Sequence, residues 1–289
     1  VDIVLAAKNF PMAIFLKKYS KSEFKLFLRE AVDPFVAVKN QRFYISRKFI
    51  IYLKKKLYPS ADKIIAISEG VKKTLVNEFK IKANKIDVIY NPAADHRILE
   101  MAKEKVEENY LDKNFNIINI GRLTRQKDHI TLLKAFKIVL KKIQCNLLII
   151  GEGSERKNIN KFIIDNNLEN NVNLVGYKSN PWKYLYRADL FVLSSIWEGF
   201  GNVIVESMIL GVPVISSDCK SGPSEILNNG KHGDLFKIRD HNKLSELIIE
   251  EFNSKKLKDK VNKAKERSQD FSINKITSKY EESFKKLLT

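Results

Sequence analysis

The chain has 289 residues, of which 44% are hydrophobic, and its formal net charge is +18. That length and apolar content suffice for one large or two ordinary domains with buried cores. No apolar stretch approaches the roughly 20 residues of a membrane-spanning helix. Cys145 and Cys219 stand far apart, which argues against a disulfide scaffold and a structural zinc site. We therefore expect a cytoplasmic protein.

The positive charge is concentrated in the first sixty residues, where basic side chains alternate with aromatic ones from Phe15 to Tyr58. This mixture suits the headgroup region of an anionic membrane. A solvated, lysine-coated surface explains the charge equally well, and a biased genome could produce it without a functional cause. The sequence leaves both interpretations open.

Short apolar runs alternate with helical patterns along the chain. Runs of four or five residues suit strands that are buried on both faces of a parallel sheet, with helices between them. The alternation predicts an α/β architecture. The predicted strands are 3–6, 25–28, 64–67, 86–89, 116–120, 147–150, 172–175, 190–193 and 212–216.

The segment after Asn91-Pro92 interrupts this alternation, and it predicts a linker over residues 96–112. The linker separates a partial N-terminal domain over 1–95 from a second domain over 113–270. The pattern in 271–289 predicts an amphipathic helix. Because the chain opens inside a predicted strand and the first domain looks incomplete, we expect its N-terminal part to be missing.

A glycine-rich loop follows the predicted strand at 190–193. Gly199 and Gly201 permit a tight turn before an apolar helix, a setting that can hold an anion or a polar ligand. Glu198 lies in the loop and Glu206 about two turns into the helix, where a carboxylate could accept hydrogen bonds from neighbouring hydroxyls. The alternatives are an acidic helix N-cap for Glu198 and a solvated helix residue for Glu206, although the helix is otherwise apolar.

A second loop carries Arg122, Arg125 and Lys127 before a predicted helix. Cations at a helix start are unfavourable unless an anion binds there, and a diphosphate would be a natural partner. Three exposed surface cations are the alternative. Gly151 and Gly153 begin a dinucleotide-like pattern that lacks its third glycine, so they predict a strand-to-helix turn rather than a nicotinamide site.

These motifs, in this order, resemble glycosyltransferase family 4, the retaining sugar transferases of the B-type fold. Glu198 and Glu206, separated by seven residues and followed by the run 211–214, match the family's signature. The Gly121-Arg122-Leu123 loop with Lys127 is the second mark. Residues 66–71 and 88–92 resemble the end of the family's N-terminal domain. The run 221–227 resembles a branch that builds bacterial surface polysaccharide or lipid-linked glycans.

The resemblance implies two Rossmann-like domains facing across a cleft, with the C-terminal helix packing back on the N-terminal domain. It implies a retaining, metal-independent hexosyltransferase that moves a sugar from a nucleotide-sugar, UDP-linked on family grounds, to a glycan or lipid-linked acceptor in polysaccharide or lipopolysaccharide biosynthesis. No cofactor is implied, because two cations can stabilise the leaving diphosphate. The expected partners are the donor and the acceptor, with an anionic surface at the inner face of the cell membrane as a further candidate and no nucleic acid.

The resemblance also implies roles for single residues. Arg122 and Lys127 would neutralise the donor diphosphate beside Gly121, and Glu206 would hold the ribose through two hydroxyls. Glu198 and the backbone amides would hold the transferred sugar. The residues that supply those amides are Phe200, Gly201 and Asn202.

The first domain departs from the family pattern. Many members carry a histidine there, and residues 1–95 contain none. Glu30 resembles a glutamate of one branch, but the arginine that follows it in that branch is absent. Glu30 is therefore a weak candidate, and a solvated or core-edge glutamate is the alternative.

Two other functions remain to be weighed. A nucleotide-sugar epimerase shares the B-type fold and would need no acceptor. A non-enzymatic, basic protein that binds membranes or nucleic acid is supported by the charge alone. Carboxylates in a glycine-rich loop would repel the phosphates of a nucleic acid.

Overall fold

The computed structural model describes residues 2–7, 10–20, 23–39, 44–106, 114–254 and 257–288. The chain forms two compact units. The first unit comprises residues 1–92, 198–200 and 273–289, and the second comprises residues 93–197 and 201–272. Both contain a parallel sheet with helices, so the predicted α/β class is confirmed.

The first unit is built on a parallel sheet of four described strands in the order β1-β2-β3-β4. The strands are β1 (Ile3–Ala6), β2 (Lys25–Glu30), β3 (Lys63–Ala66) and β4 (Ile86–Val88). The helices between them are α1 (Phe10–Tyr19), α2 (Pro34–Lys39), α3 (Tyr44–Leu57) and α4 (Glu69–Phe79). Helix α4 begins where it does because Ser68 Oγ accepts a hydrogen bond from the Val71 backbone N–H at 3.1 Å.

The last helix, α13 (Ile273–Leu288), belongs to the first unit. Its apolar stripe places Ile276 in a buried cluster with Phe27 and Ile65. Phe284 meets Phe27 edge to face, with 4.8 Å between the ring centroids. The amphipathic pattern of this segment is therefore explained by packing within the unit.

The second unit contains a parallel sheet of six described strands in the order β10-β9-β8-β5-β6-β7. The strands are β5 (Phe115–Ile120), β6 (Cys145–Ile150), β7 (Val172–Leu174), β8 (Leu190–Leu193), β9 (Val214–Ser217) and β10 (Asp234–Phe236). The helices are α5 (His96–Met101), α6 (His129–Val139), α7 (Arg156–Asp165), α8 (Trp182–Leu185), α9 (Asn202–Leu210), α10 (Pro223–Ile226), α11 (His241–Ser254) and α12 (Lys258–Ser268).

The strand order reverses in the middle of this second sheet. From β5 the chain proceeds outward through β6 and β7, and it then returns to place β8 on the other side of β5. In open α/β sheets, ligands bind outside the carboxyl ends of the strands at such a reversal. The loops that follow β5 and β8 therefore occupy the favoured position for a ligand site.

Each strand predicted from an apolar run overlaps a strand of the structure, and the predicted ends lie within two residues of the observed ones. Strand β10 was missed, because its three residues form no apolar run. Buried Cys145 opens β6, and burial raises the pKa of its thiol to about 12.

The unit boundaries differ from the predicted ones. Helix α5 occupies part of the range predicted as a linker over 96–112, and it belongs to the second unit, which begins at residue 93. Residues 107–113 of that range lie outside the described part of the chain. Residues 198–200, predicted within the second domain, group with the first unit. Asp95 explains the start of α5, since its carboxylate accepts from the Arg97 backbone N–H at 2.9 Å.

Candidate functional site

Two loops of the second unit meet at the strand reversal. The first follows β5 and begins at Gly121; the second follows β8 and begins at Ser194. Three hydrogen bonds join the two loops directly. Ile196 N–H donates to the Gln126 carbonyl, Gln126 Nε2 donates to the Trp197 carbonyl, and Ser194 Oγ donates to the Lys127 carbonyl, each at 2.8 Å. The two motifs that the sequence singled out are thus parts of one structure.

Lys127 and Gly121 are in contact within the first of these loops. A Cβ atom added to Gly121 would lie 3.2 Å from Lys127 Cε, so the lysine side chain runs across the glycine. Arg122 is exposed, and its guanidinium makes no ion pair or hydrogen bond with other described residues. The loop therefore offers the exposed Arg122 guanidinium and a lysine side chain that lies against Gly121.

Gly151 and Gly153 pack against the backbone of this loop. A Cβ atom at Gly151 would lie 1.9 Å from the Gly121 carbonyl oxygen, and one at Gly153 would lie 2.3 Å from the Leu123 carbonyl oxygen. Leu123 N–H donates to the Glu152 carbonyl at 2.9 Å. The predicted strand-to-helix turn is confirmed, and the glycines are required because another backbone lies against them.

Glu206 lies on α9 as its fifth residue, just over one turn from the helix start rather than the two turns expected. The helix begins later than expected because Gly201, with φ of +105°, forms its N-cap. Trp182 Nε1 donates a hydrogen bond to Glu206 Oε2 at 2.8 Å. Burial raises the pKa of the Glu206 carboxyl, while the Trp182 hydrogen bond and the charge of Lys127 act to lower it.

Helix α9 presents its N-terminus at the end of the second loop. Asn202 is its first residue and is exposed. The first backbone N–H groups of a helix have no intrahelical acceptors, and they suit an anion or a polar ligand. Gly211 ends the helix in the left-handed conformation, with φ of +74°, as its position in the sequence predicts.

Residues 198–200 pack within the first unit. Glu198 is 7% exposed, and the Phe200 ring stacks on Tyr90 with 5.4 Å between centroids. Gly199 is required by a close approach, because a Cβ atom there would lie 2.6 Å from the Ala31 carbonyl oxygen. Gly199 and Gly201 thus serve different purposes, although the sequence suggests the same one for both.

Glu30 ends β2 and is 3% exposed. Its carboxylate accepts a hydrogen bond from Lys54 Nζ at 3.0 Å and another from the Tyr58 hydroxyl. Burial raises the pKa of Glu30, and the Lys54 ion pair acts in the opposite direction. Both partners lie in the first unit, so the carboxylate is satisfied by its own unit.

Among the described residues, no cluster of three or more His, Cys, Asp or Glu side chains is arranged to hold a metal ion. The described helices also include none that is both long and apolar enough to cross a bilayer. Sequence reasoning assigned no role to Trp182 or Gln126. Trp182 belongs to no periodic or charged pattern, and Gln126 is an uncharged residue within the charged loop. An isolated tryptophan after Pro181 in a polar segment was the one available signal.

Two family profiles match the chain. The profile described as "Glycosyl transferases group 1" matches residues 101–268, which is more than half of the chain. The profile described as "Glycosyltransferase Family 4" matches residues 28–97. Both describe sugar transferases, and the resemblance inferred from the motifs is confirmed.

Among curated proteins, a Campylobacter jejuni enzyme is 34% identical over 254 residues, covering 87% of this chain and 67% of its own. Its name is N-acetylgalactosamine-N,N'-diacetylbacillosaminyl-diphospho-undecaprenol 4-alpha-N-acetylgalactosaminyltransferase. The chain spans about two thirds of the length of two curated relatives that it matches, 66% of one and 67% of the other.

Solved structures share the fold. HepE of Anabaena, in complex with UDP, has a TM-score of 0.83 at 19% identity, covering 99% of this chain and 79% of its own. A variant of S. aureus TarM, in a complex that includes UDP, has a TM-score of 0.72 at 26% identity, covering 93% of this chain and 53% of its own. The predicted B-type architecture is confirmed by these likenesses.

Proposed function

The chain belongs to the group 1 and family 4 glycosyltransferases, and from this premise we propose that its protein transfers a sugar from a UDP-sugar to a glycan or lipid-linked acceptor with retention of configuration. The observation that carries the proposal is the hydrogen-bonded pair of loops at the strand reversal of the second unit. These loops bring the chain's exposed Arg122 and its Lys127 to the position where α/β sheets bind ligands.

In the proposed mechanism, the bond between the sugar's anomeric carbon and the diphosphate oxygen breaks, and its electron pair stays on the diphosphate. The acceptor hydroxyl oxygen bonds to the same face of that carbon, and its proton passes to the departing diphosphate. The developing charge needs fixed cations or dipoles nearby. Arg122 and Lys127 supply positive charge, and the start of α9 supplies helix N–H groups. Metal ions do the same work in other transferases, and here we assign it to the two side chains.

The remaining roles are those that the resemblance to the family implies. Glu206 accepts hydrogen bonds from the ribose hydroxyls. Glu198 and the amides of Phe200, Gly201 and Asn202 hold the transferred sugar. In support of Glu206, its carboxylate accepts a hydrogen bond from one neutral donor, Trp182, and the charge of Lys127 acts on it. UDP is preferred as the nucleotide because TarM, at 26% identity, and HepE were both solved with it.

The direct test is binding and turnover with nucleotide-sugars. We expect UDP to raise the melting temperature of the protein more than GDP or ADP does. We expect turnover of a UDP-sugar by the complete protein to survive excess EDTA. Stabilisation by GDP or ADP alone would contradict the choice of nucleotide, and activity that EDTA abolishes and magnesium or manganese restores would contradict the metal-free mechanism.

A lipid-linked acceptor is the second part of the proposal. The Campylobacter relative is named for a diphospho-undecaprenol acceptor, and the hydrocarbon tail of such a lipid keeps it in the bilayer. Helices α1 and α3 of the first unit expose apolar and aromatic side chains among lysines. The exposed apolar side chains are Met12, Phe15, Leu16, Tyr19, Phe49 and Tyr52. Lys18, Lys48, Lys55 and Lys56 are exposed on the same helices.

Vesicle sedimentation tests this contact. Each lysine near an anionic surface contributes about 1 kcal/mol, so we expect binding to anionic vesicles and none to neutral ones. Lys55→Glu with Lys56→Glu should weaken it, whereas the matched pair Lys141→Glu with Lys142→Glu in the second unit should not. Lys54 is left unchanged because it pairs with Glu30. No binding to anionic vesicles at low salt would assign the charge to a solvated surface.

A further inference from the structure

Trp182 is the first residue of α8 and is half-buried. Its indole Nε1–H donates to Glu206 Oε2 at 2.8 Å, a normal length for such a bond. Among the described residues, this is the one hydrogen bond that the Glu206 carboxylate makes. The indole N–H can only donate a hydrogen bond, so the direction of this bond, from Trp182 to the carboxylate, is fixed.

The tryptophan is held in place by the residues around it. Asn180 Nδ2 donates to the Met101 carbonyl at 2.8 Å, and Arg187 Nη1 donates to the Ala102 carbonyl at 3.1 Å. Both carbonyls lie at the end of α5, within the same unit. Tyr184 and Leu185, inside α8, are buried. This four-residue helix is thus fixed at both ends, which limits the positions open to the indole.

A carboxylate that recognises two neighbouring hydroxyls must present its oxygens in a fixed plane. The Trp182 bond engages Oε2 and so restricts rotation of the Glu206 carboxylate, while Oε1 makes no hydrogen bond with the described residues. A side chain fixed by a partner hydrogen bond loses less entropy when its ligand arrives. The interaction therefore prepares the carboxylate for a diol before the ligand binds.

We propose that Trp182 is a positioning residue that orients Glu206 toward the ribose hydroxyls and so sets the preference for ribonucleotides over deoxyribonucleotides. The proposal rests on the proposed function, because it takes the ribose of the donor as the ligand of Glu206. A structural role for Trp182 would instead lower the affinity for both kinds of nucleotide by the same factor. The ratio of the two affinities distinguishes these roles.

The first experiment measures that ratio by calorimetry with UDP and 2′-deoxy-UDP. The unaltered protein should prefer UDP by about tenfold, the usual cost of a lost hydrogen bond to a charged group. Trp182→Phe keeps the aromatic body and removes the donor, and it should reduce the preference to about threefold or less. Tyr186→Phe, which removes an exposed hydroxyl just after α8, is the control and should leave the ratio unchanged.

A second measurement needs no nucleotide. The chain has two tryptophans, so the Trp182 indole N–H signal in an NMR spectrum is assigned by its loss in Trp182→Phe. Its chemical shift should follow the ionisation of Glu206 as the pH changes, and Glu206→Gln should abolish that titration. An indole signal that does not respond to Glu206→Gln would overturn the inference.

The outcomes separate the two proposals. If the unaltered protein binds UDP and Trp182→Phe keeps the full preference over 2′-deoxy-UDP, the positioning role is wrong and the proposed function stands. If the unaltered protein binds neither nucleotide although the indole titrates with Glu206, the proposed function fails, and the ribose assignment fails with it.

Discussion

Each unit contains a glutamate whose carboxylate is shielded from water, and the hydrogen-bond partners of these two carboxylates differ. Glu30 in the first unit and Glu206 in the second both have a pKa raised by burial. Glu30 is held by a cation, Lys54, and by a tyrosine hydroxyl. Glu206 accepts a hydrogen bond from one neutral donor, Trp182, and Lys127 acts on it only through its positive charge.

The difference supports the proposal that Glu206, rather than Glu30, binds a ligand. An ion pair completed inside a unit needs no further partner, and removing one member leaves the other buried and uncompensated. A carboxylate with a single neutral donor and an oxygen that bonds to no described residue gains from added hydroxyl donors. We therefore expect substitutions around Glu30 to change stability, and those around Glu206 to change nucleotide binding.

The largest effect is expected at the cation that acts on Glu206. Lys127→Ala should weaken UDP binding by about 10- to 100-fold, as for the loss of a charge-assisted contact. Lys134→Ala on α6, an exposed lysine, is the matched control and should change little. Isothermal calorimetry measures both. Unchanged affinity in Lys127→Ala would show that the diphosphate lies elsewhere.

The next effect separates Glu206 from Glu198. Glu206→Ala should reduce the affinity for free UDP about tenfold, because the ribose is common to all UDP donors. Glu198→Ala should leave UDP binding nearly intact and lower the turnover of the UDP-sugar. Calorimetry and a transfer assay are run on both variants. Equal losses of UDP affinity would mean that the two roles are assigned wrongly.

The corresponding effect in the first unit falls on stability. Lys54→Met should lower the free energy of unfolding by about 1 kcal/mol at neutral pH, a reduced value for a buried pair because Lys54 is partly exposed. The neighbouring variant Lys55→Met should cost little, since Lys55 is exposed. Urea denaturation gives both values, and neither variant should alter UDP affinity. A loss of UDP affinity in Lys54→Met would place Glu30 in the binding site.

The free energy of unfolding of Lys54→Met should also depend more steeply on pH than that of the unaltered protein. A carboxyl whose folded pKa is raised favours folding below its ordinary pKa, and this stabilisation is lost as the pH rises through the folded pKa. The Lys54 charge lowers the pKa of Glu30, so without it the loss extends to higher pH. Denaturation from pH 4 to pH 8, a range chosen to bracket the ordinary glutamate pKa of about 4.3, measures this difference.

The smallest effect is expected at Gly121. An alanine methyl would lie 3.2 Å from Lys127 Cε, so the lysine must shift by a few tenths of an ångström. We expect Gly121→Ala to weaken UDP binding by about twofold to fivefold, which corresponds to less than about 1 kcal/mol. Its melting temperature without ligand should remain near that of the parent. A clearly lower melting temperature of the unliganded variant would instead point to damage of the fold.

The sequence predicted the strands well, because short apolar runs buried on both faces have few alternatives. It missed β10, whose pairing with β9 rather than its own composition makes it a strand. It also placed residues 198–200 by their position in the motif, whereas their packing groups them with the first unit. Contacts between segments distant along the chain carry no local signal.

The same limit applies to the site. The sequence predicts Glu206, Lys127 and Arg122 as site residues because charged side chains stand beside glycine-rich turns that follow strands, as in the motifs of the family. The hydrogen bonds from Trp182 to Glu206 and from Gln126 to the Trp197 carbonyl span 24 and 71 residues of chain, and no local pattern predicts them. In the sequence, Lys54 is likewise only one of the many basic side chains among the first sixty residues. It pairs with Glu30 because the fold places α3 beside the end of β2.

A crystal structure of the protein with UDP tests the central claim most directly, namely that the two hydrogen-bonded loops of the second unit hold the donor nucleotide. The account predicts diphosphate oxygens within about 3 Å of Lys127 Nζ and near Arg122, with ribose hydroxyls within about 3 Å of the Glu206 carboxylate and the Trp182 bond intact. UDP bound away from both loops, with Glu206 contacting no part of the ribose, would contradict it.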